Sequence, residues 1–198
     1  MYISDIVAWC NIGYKYIDSN PLYYADNLYL NGKLVEELVI PDSVTIIQYS
    51  AFYNCRSLQS ITIPESVTSI EGSAFSHCSG LKNVTIPESV TSIGSSAFSG
   101  CSSLQSIAIG NGVTSIGNYA FSDCSSLTSI TIPDSVTSIG SSAFWGCIRR
   151  TGIWVDKYNT AYCSDAKGVL FSKDMSVCIQ APLGITGSYT IPDGVTSI

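Results

Sequence analysis

The chain has 198 residues, of which 45% are hydrophobic and only 12% charged, and its net charge at pH 7 is −6. No Lys or Arg occurs between Asn83 and Ile148, which argues against nucleic-acid binding, because that function needs a basic surface to neutralise phosphates. The sequence has no apolar run close to the roughly 20 residues that a membrane-spanning helix needs.

The first element in chain order is an irregular amino-terminal module, residues 1–34. Its start lacks the basic residues and the apolar stretch of a secretory signal. Half of the twelve tyrosines lie in the first thirty residues, together with Trp9. Such aromatic rings either pack over the open end of the structure that follows or stack on sugar rings, and packing is the favoured interpretation.

A 23-residue period dominates residues 35–155. Within each copy, aromatic and thiol side chains return at the same step. The phenylalanines are Phe52, Phe75, Phe98, Phe121 and Phe144, and the cysteines are Cys55, Cys78, Cys101, Cys124 and Cys147. A fixed period of this length is typical of a stacked-repeat solenoid, in which each repeat buries its apolar face against its neighbours. These ten residues are predicted to form core ladders.

The copy from Leu58 to Gly80 illustrates the predicted coil. Ile61 and Ile63 alternate with polar residues, as in a strand with one buried face. Pro64 ends that strand because proline has no N–H to donate. A second short extended stretch follows, and the Ala-Phe-x-x-Cys segment is predicted to form a short helical or 3₁₀ turn. In three other copies a glycine follows this second stretch, at Gly94, Gly117 and Gly140, and the chain is expected to turn there.

Residues 156–198 interrupt the period. Alternating apolar residues around Lys173 and Asp174 predict a β-hairpin, and residues 189–198 return to the repeat motif. The motif stops within a coil, and the sequence shows no polar cap. We therefore expect the chain to be one continuous solenoid and a piece of a longer array. We also expect its exposed strand edges to allow end-to-end association, which size-exclusion chromatography would test.

The repeated pattern Leu-x-x-Ile-x-Ile-Pro-x-x-Val-x-x-Ile-x-x-x-Ala-Phe-x-x-Cys, as found from Leu58 to Cys78, resembles the BspA-like leucine-rich repeat family. The resemblance implies a β-rich leucine-rich-repeat solenoid with one short parallel strand per coil. It also implies bacterial proteins, often at the cell surface, that adhere to host proteins or to proteins of neighbouring cells, and it brings no catalytic residues. No signal or anchor is recognisable in these residues, so on the sequence alone we expect the chain to depart from a typical surface member.

Outward residues of the predicted strands are the candidate ligand-binding surface, which we call the strand face. They are small, polar and almost uncharged. The candidates are Gln59, Ser60, Thr62, Lys82, Asn83, Thr85, Gln105, Ser106, Thr128, Ser129 and Thr131.

The cysteines invite a disulfide or metal interpretation. Side chains stacked one coil apart would lie about 4.8 Å apart, which is too far for the Cβ atoms of a disulfide, and no Cys/His pair has zinc-ligand spacing. Buried free thiols are therefore predicted, with a Cys163–Cys178 pair across the hairpin as an open alternative.

Two further arrangements are candidate sites. Acidic and amide residues recur directly after the position where most copies carry the strand-ending proline (Asp42, Glu65, Glu88, Asn111 and Asp134). They form a single column, which offers calcium too few ligands. His77 is the only histidine, and it is predicted to be exposed while Cys78 points inward, so a Cys–His nucleophile is not expected.

The sequence therefore predicts a non-enzymatic module for protein–protein interaction or adhesion, without cofactor or metal, that neither binds nucleic acid nor inserts into a membrane. Two alternatives stay open. One is carbohydrate binding by the hydroxyl-rich strand face and the amino-terminal aromatic residues, including Trp9 and Tyr23. The other is a structural spacer in a longer surface protein.

Overall fold

The computed structural model describes residues 1–147 and 152–198. It is a solenoid whose parallel strands follow one another about 23 residues apart, which confirms the predicted leucine-rich-repeat architecture. Residues 148–151 of the predicted 35–155 solenoid lie outside the described residues. No described helix has the length and apolar character required to cross a membrane.

The amino-terminal module contains strand β1 (Tyr2–Ile3), helix α1 (Ile6–Cys10), two 3₁₀ turns (Ile17–Ser19 and Pro21–Tyr23), β2 (Tyr29–Leu30) and β3 (Lys33–Leu34). Strand β2 pairs in parallel with β1 and antiparallel with β3.

This module covers the first regular coil. The Trp9 indole Nε1–H donates to the Ala51 carbonyl oxygen at 2.8 Å. In the next coil the equivalent carbonyl, that of Ala74, accepts from the Phe52 N–H at 2.8 Å. Trp9, only 3% exposed, thus supplies the donor that a preceding coil would supply. The favoured packing of the aromatic residues over the first coil holds for Trp9.

Strands then alternate between two columns. In chain order they are β4 (Glu37–Val39), β5 (Ile46–Ile47), β6 (Ser60–Thr62), β7 (Ser69–Ile70), β8 (Asn83–Ile86), β9 (Ser92–Ile93), β10 (Ser106–Ile109), β11 (Ser115–Ile116), β12 (Ile130–Ile132), β13 (Ser138–Ile139) and β14 (Ile153–Val155). The even-numbered strands line one side of the solenoid, and the odd-numbered strands β5 to β13 form a second continuous parallel sheet. Each residue pairs with the equivalent residue of the next coil, as Ser60 does with Asn83.

The Ala-Phe-x-x-Cys segment forms tight turns on the side opposite the even-numbered strands. The Cys78 N–H donates to the Phe75 carbonyl oxygen at 3.2 Å, and the Leu81 N–H donates to that of Cys78 at 3.1 Å. These three-residue steps are the hydrogen bonds of a 3₁₀ turn, as predicted.

The residue before each ladder cysteine adopts a left-handed conformation. The five residues concerned are Asn54, His77, Gly100, Asp123 and Gly146, with φ between 58° and 74°. Gly, Asn and Asp tolerate this conformation best. The sequence pattern at this position therefore encodes a turn and is not free variation.

Glycine has a different role at Gly94 and Gly117. Neither has a positive φ. A Cβ atom added to either residue would lie 2.5 Å from a backbone nitrogen of the preceding coil. The prediction that the chain turns at these glycines thus missed their main requirement, which is the close approach of two backbones.

The core is one continuous cluster that extends through the regular coils. The rings of Phe75, Phe98 and Phe121 are fully buried and stack with centroid separations of 5.3 and 5.6 Å. Each coil therefore buries an aromatic ring against the same ring of its neighbours.

The carboxy-terminal segment folds as a three-stranded antiparallel sheet, in which the predicted hairpin gains one more strand. The strands are β15 (Tyr162–Ser164), β16 (Leu170–Ser172) and β17 (Cys178–Gln180), with β16 in the centre. Leu170 packs into the solenoid core, whereas Phe171 belongs to a separate small cluster with Val169 and Cys178. The central strand of this sheet therefore contributes to both clusters.

Candidate functional site

The strand face is exposed to solvent along its length. Every predicted face residue from Ser60 to Thr131 is exposed, and Gln59 is half-buried. The pairing register places Ser106 beside Asn83, and Ala108 beside Thr85, at one position of successive coils. Equivalent residues are therefore spaced by one strand separation, about 4.8 Å.

Hydrogen bonds between coils hold several of these side chains in place. The Lys82 ammonium donates to Gln59 Oε1 at 3.0 Å, and the Ser106 hydroxyl donates to Asn83 Oδ1 at 2.6 Å. The Thr128 hydroxyl donates to the Gln105 carbonyl oxygen at 3.3 Å. A ligand that binds here meets side chains that are already partly ordered, which lowers the entropic cost of binding.

The face is interrupted once, between β10 and β12. In the described sheets, β4, β6, β8 and β10 pair in sequence, and β12 pairs only with β14. The Thr128 N–H lies 3.4 Å from the Gln105 carbonyl oxygen, compared with 2.8 Å for the equivalent bond from Gln105 to Lys82. The ladder has opened at this junction.

Two shallow depressions lie beside this opening. One, of about 400 Å³, is lined by Asn83, Gln105, Ser106, Ser126 and Thr128. The other, of about 320 Å³, lies beside Ala108, whose small side chain stands where neighbouring coils carry Thr85 and Thr131. The first depression is therefore lined by neutral amide and hydroxyl groups, whereas Ile107, Ile109 and Pro133 give the second a more apolar lining.

Charge is sparse on this surface. Lys82 is the only Lys or Arg between residues 57 and 147 of the sequence. Glu36 and Glu37 lie at one end of the face, and Asp156 borders the second depression. The centre of the face therefore offers hydrogen-bonding groups and shape more than charge.

Four of the five ladder cysteines, Cys55, Cys78, Cys101 and Cys124, are buried thiols, and Cys147 is half-buried. The Cys78, Cys101 and Cys124 thiols each donate to a Phe carbonyl oxygen of the preceding coil at 3.1 to 3.2 Å. Burial raises the pKa of the Cys78 thiol to about 12. Because the thiolate is the nucleophilic form, such a group is inert near neutral pH.

All eight cysteines lie in the described part of the chain, and all are free. Cys163 and Cys178 both pair with Phe171, one from each side. They lie on the two outer strands of the sheet, about 9.6 Å apart by strand spacing. A disulfide needs Cα atoms within about 7 Å, so the alternative of a Cys163–Cys178 pair across the hairpin is wrong.

The described residues contain no group of three or more His, Cys, Asp or Glu side chains that could hold a metal ion. In the acidic column, Glu65 instead accepts a hydrogen bond from the Ser89 N–H at 3.3 Å. His77 is exposed while Cys78 is fully buried, so the two side chains cannot act together as a nucleophile and its base.

Sequence reasoning missed one surface feature. Tyr23 and Tyr53 stack with their ring centroids 5.8 Å apart, and His77 approaches Tyr53 edge-on at 5.5 Å. The three residues come from separate segments of the chain, so no local pattern could have grouped them. The buried Trp9 takes no part in this exposed cluster.

Comparison with known proteins agrees with this architecture. The family described as BspA type leucine-rich repeat region matches residues 24–150 in six copies. No curated protein sequence matches the chain.

Several solved structures share the fold. The crystal structure of the pneumococcal vaccine antigen PcpA is 28% identical, with a TM-score of 0.73, over 81% of this chain and 40% of that protein. A leucine-rich cell surface protein from Faecalibacterium prausnitzii is 31% identical, with a TM-score of 0.65, over 100% of this chain and 54% of that protein. A leucine-rich repeat protein from Bacteroides ovatus is 40% identical, with a TM-score of 0.53, over 56% of this chain and 31% of that protein.

The chain therefore spans between 31% and 54% of the length of these three proteins. Because six copies of the repeat match over well more than half of its residues, the chain belongs to the BspA-type leucine-rich repeat family.

Proposed function

We propose that this chain is a non-enzymatic interaction module that binds protein ligands through its strand face, as part of a protein on the surface of a bacterial cell. The observation that carries the proposal is the strand face itself, which is exposed and partly ordered by hydrogen bonds between coils. Its small polar residues are not required by the core, which is formed by the other side of the same strands.

The related structures support the cellular context. One comes from a protein described as a leucine-rich cell surface protein, and another from a vaccine antigen. A solenoid that displays one face over many coils suits adhesion, because weak contacts repeated along the face add through avidity.

The experiment is a binding titration against a panel of purified extracellular-matrix proteins, with bulky, positively charged residues placed on two different columns. The test variant carries Ser60→Arg, Ser106→Arg and Ser129→Arg on the strand face. The matched control carries Thr68→Arg, Thr91→Arg and Thr114→Arg, which are exposed residues beside the odd-numbered strands.

The strand-face variant is expected to bind its ligand at least about tenfold more weakly, a loss of roughly 1.4 kcal/mol, while the control binds like the parent. Equal losses in both variants would contradict a binding role for the strand face. Absence of saturable binding to every protein in the panel would favour the spacer interpretation.

A further inference from the structure

A second surface of the molecule carries an aromatic run that the strand-face proposal does not use. Tyr24 meets Tyr23 edge-on with ring centroids 4.9 Å apart, Tyr23 stacks on Tyr53, and Tyr53 meets His77. Tyr24 is 79% exposed and Tyr23 is 42% exposed. The run extends from the 3₁₀ turn of the amino-terminal module over the Ala-Phe-x-x-Cys turns of two coils.

The repeat itself does not require these residues. At the position of Tyr53, the next three coils carry serine (Ser76, Ser99 and Ser122), and at the position of Arg56 they also carry serine (Ser79, Ser102 and Ser125). Nor do the rings serve mainly to cover the core. The residues that do so, Trp9 and Leu22, are almost completely buried.

Polar groups flank the aromatic run in a fixed arrangement. Arg56 Nε–H donates to Asn54 Oδ1 at 2.9 Å and lies 3.4 Å from Asp26 Oδ1. The Asn54 side-chain amide in turn donates to Asp26 Oδ1 at 3.1 Å. Asn54 is buried, whereas the side chains of Asp26 and Arg56 are each 57% exposed. A buried amide thus holds a carboxylate and a guanidinium at the surface beside the rings.

We propose that Tyr23, Tyr24, Tyr53 and His77, together with the Asp26–Arg56 pair, form a binding site for neutral oligosaccharides. The faces of aromatic rings are electron-rich and attract the slightly positive C–H groups on the apolar side of a sugar ring. The carboxylate accepts and the guanidinium donates strong hydrogen bonds, which sugar hydroxyls can satisfy in both directions.

The extent of the cluster favours a glycan over a protein partner. It covers three coils at most, about 10–15 Å along the solenoid axis, which matches one to three sugar rings. A protein hot spot needs a surrounding rim of contacts that excludes water. The neighbouring positions in the next coils are small residues, such as Ser99 and Gly100, which offer little rim.

The test uses an array of neutral hexose and N-acetylhexosamine oligosaccharides, followed by titration of any bound glycan in solution. The variants are Tyr24→Ala and Tyr53→Ser, the latter introducing the residue found in the next three coils. The matched control is Tyr119→Ser, which removes another exposed tyrosine and introduces the serine found at that position in the other copies. Thermal unfolding of each variant reports on the fold.

The parent is expected to bind at least one oligosaccharide of the array, and each cluster variant is expected to bind it about tenfold more weakly. Tyr119→Ser and the strand-face arginine variant are expected to bind it like the parent, which separates this site from the strand face. The proposal is overturned if the parent binds no member of the array, or if the cluster variants bind like the parent. It is also overturned if Tyr24→Ala weakens binding to a protein ligand while no glycan is bound.

Discussion

The regular coils and the carboxy-terminal segment are both β-structures, but different contacts hold them together. In the coils, Phe98 stacks between two identical rings, and its own N–H donates to the Ala120 carbonyl oxygen of the next coil. In the segment, Phe171 belongs to a cluster of three buried residues. Stabilisation is therefore spread over equivalent contacts in the coils and concentrated in a few side chains in the segment.

The two regions also satisfy their backbone groups in different ways. In the coil turns, backbone N–H groups donate to carbonyl oxygens of the next coil, as the Phe75 N–H does to the Ala97 carbonyl oxygen at 2.8 Å. At the junction with the segment, one side chain bridges two carbonyl groups. The buried Asn159 amide donates to the carbonyl oxygens of Pro133 and Val136 at 2.8 and 2.9 Å, whereas the equivalent valine carbonyl of a regular coil, that of Val113, accepts from the Ser135 hydroxyl of the next coil.

The largest expected effect comes from truncating a ring in each region. Phe98→Ala should lower the free energy of unfolding of the coils by about 3–5 kcal/mol, because a buried ring is lost and a cavity remains. Phe171→Ala should destabilise the segment by a comparable amount but leave the unfolding of the coils almost unchanged, because its cluster is separate from the solenoid core. Denaturant titration combined with hydrogen exchange resolves the two regions.

Both variants remove the same atoms from fully buried sites, so each serves as the control for the other. If Phe171→Ala lowers the protection of amides in β8 to β11 as much as Phe98→Ala does, the coils and the segment unfold as one unit, and the contrast between them fails.

A smaller effect is expected at the junction between the regions. Asn159→Asp keeps the oxygen that accepts from the Ala161 and Tyr162 N–H groups but removes the amide donor to Pro133 and Val136. The Pro133 carbonyl oxygen keeps the Val136 N–H as a donor, but loss of the amide bond to the Val136 carbonyl oxygen should cost about 1–3 kcal/mol, measured as the shift in denaturant midpoint.

An exposed amide provides the control for this substitution. Asn118→Asp changes the same group within a regular coil, where Asn118 Oδ1 accepts from the Ser141 N–H and the side chain is exposed. A loss as large in Asn118→Asp as in Asn159→Asp would indicate a general effect of the added charge and not a specific role at the junction.

The same contrast explains what the sequence can predict. The 23-residue period determines strand positions and the buried or exposed side of each residue, because alternation and repetition constrain every coil in the same way. At the position before each cysteine, variation among the copies predicts exposure of His77, whereas the Asn, Asp and Gly of the other four copies also indicate the left-handed turn that the structure shows.

Irregular regions resist prediction for a physical reason. Asn159 lies 23 residues after Val136, at the position where the regular coils carry a buried valine, and the period does not specify which hydrogen bonds an amide makes there. The aromatic run likewise joins Tyr23 and Tyr53 across the boundary between module and coil. Such contacts depend on how a non-repeated segment docks, and one sequence alone does not specify that geometry.

The smallest expected effect concerns Asp165, which ties residues 183–198 to the sheet. Burial tends to raise the pKa of this carboxyl group, but hydrogen bonds from the Tyr189 hydroxyl and from the Val169 and Lys167 N–H groups outweigh it and hold the pKa below its ordinary value of 3.8. The Tyr189 bond is 2.7 Å long. The folded segment therefore favours the ionised carboxylate.

A lowered pKa in the folded state means that Asp165 contributes its stabilisation above the ordinary pKa and loses it as the pH falls through the folded value.

Between pH 6 and pH 3, the parent should lose more stability of the segment than Asp165→Asn, in which no group titrates at this position. Asp134→Asn, in an exposed part of the coils, should lose as much as the parent. Hydrogen exchange of residues 183–198, corrected for the intrinsic pH dependence of exchange, makes the measurement. An equal loss in the parent and in Asp165→Asn would show that the hydrogen bond between Asp165 and Tyr189 does not hold the segment in place, and that its packing around Phe171 suffices.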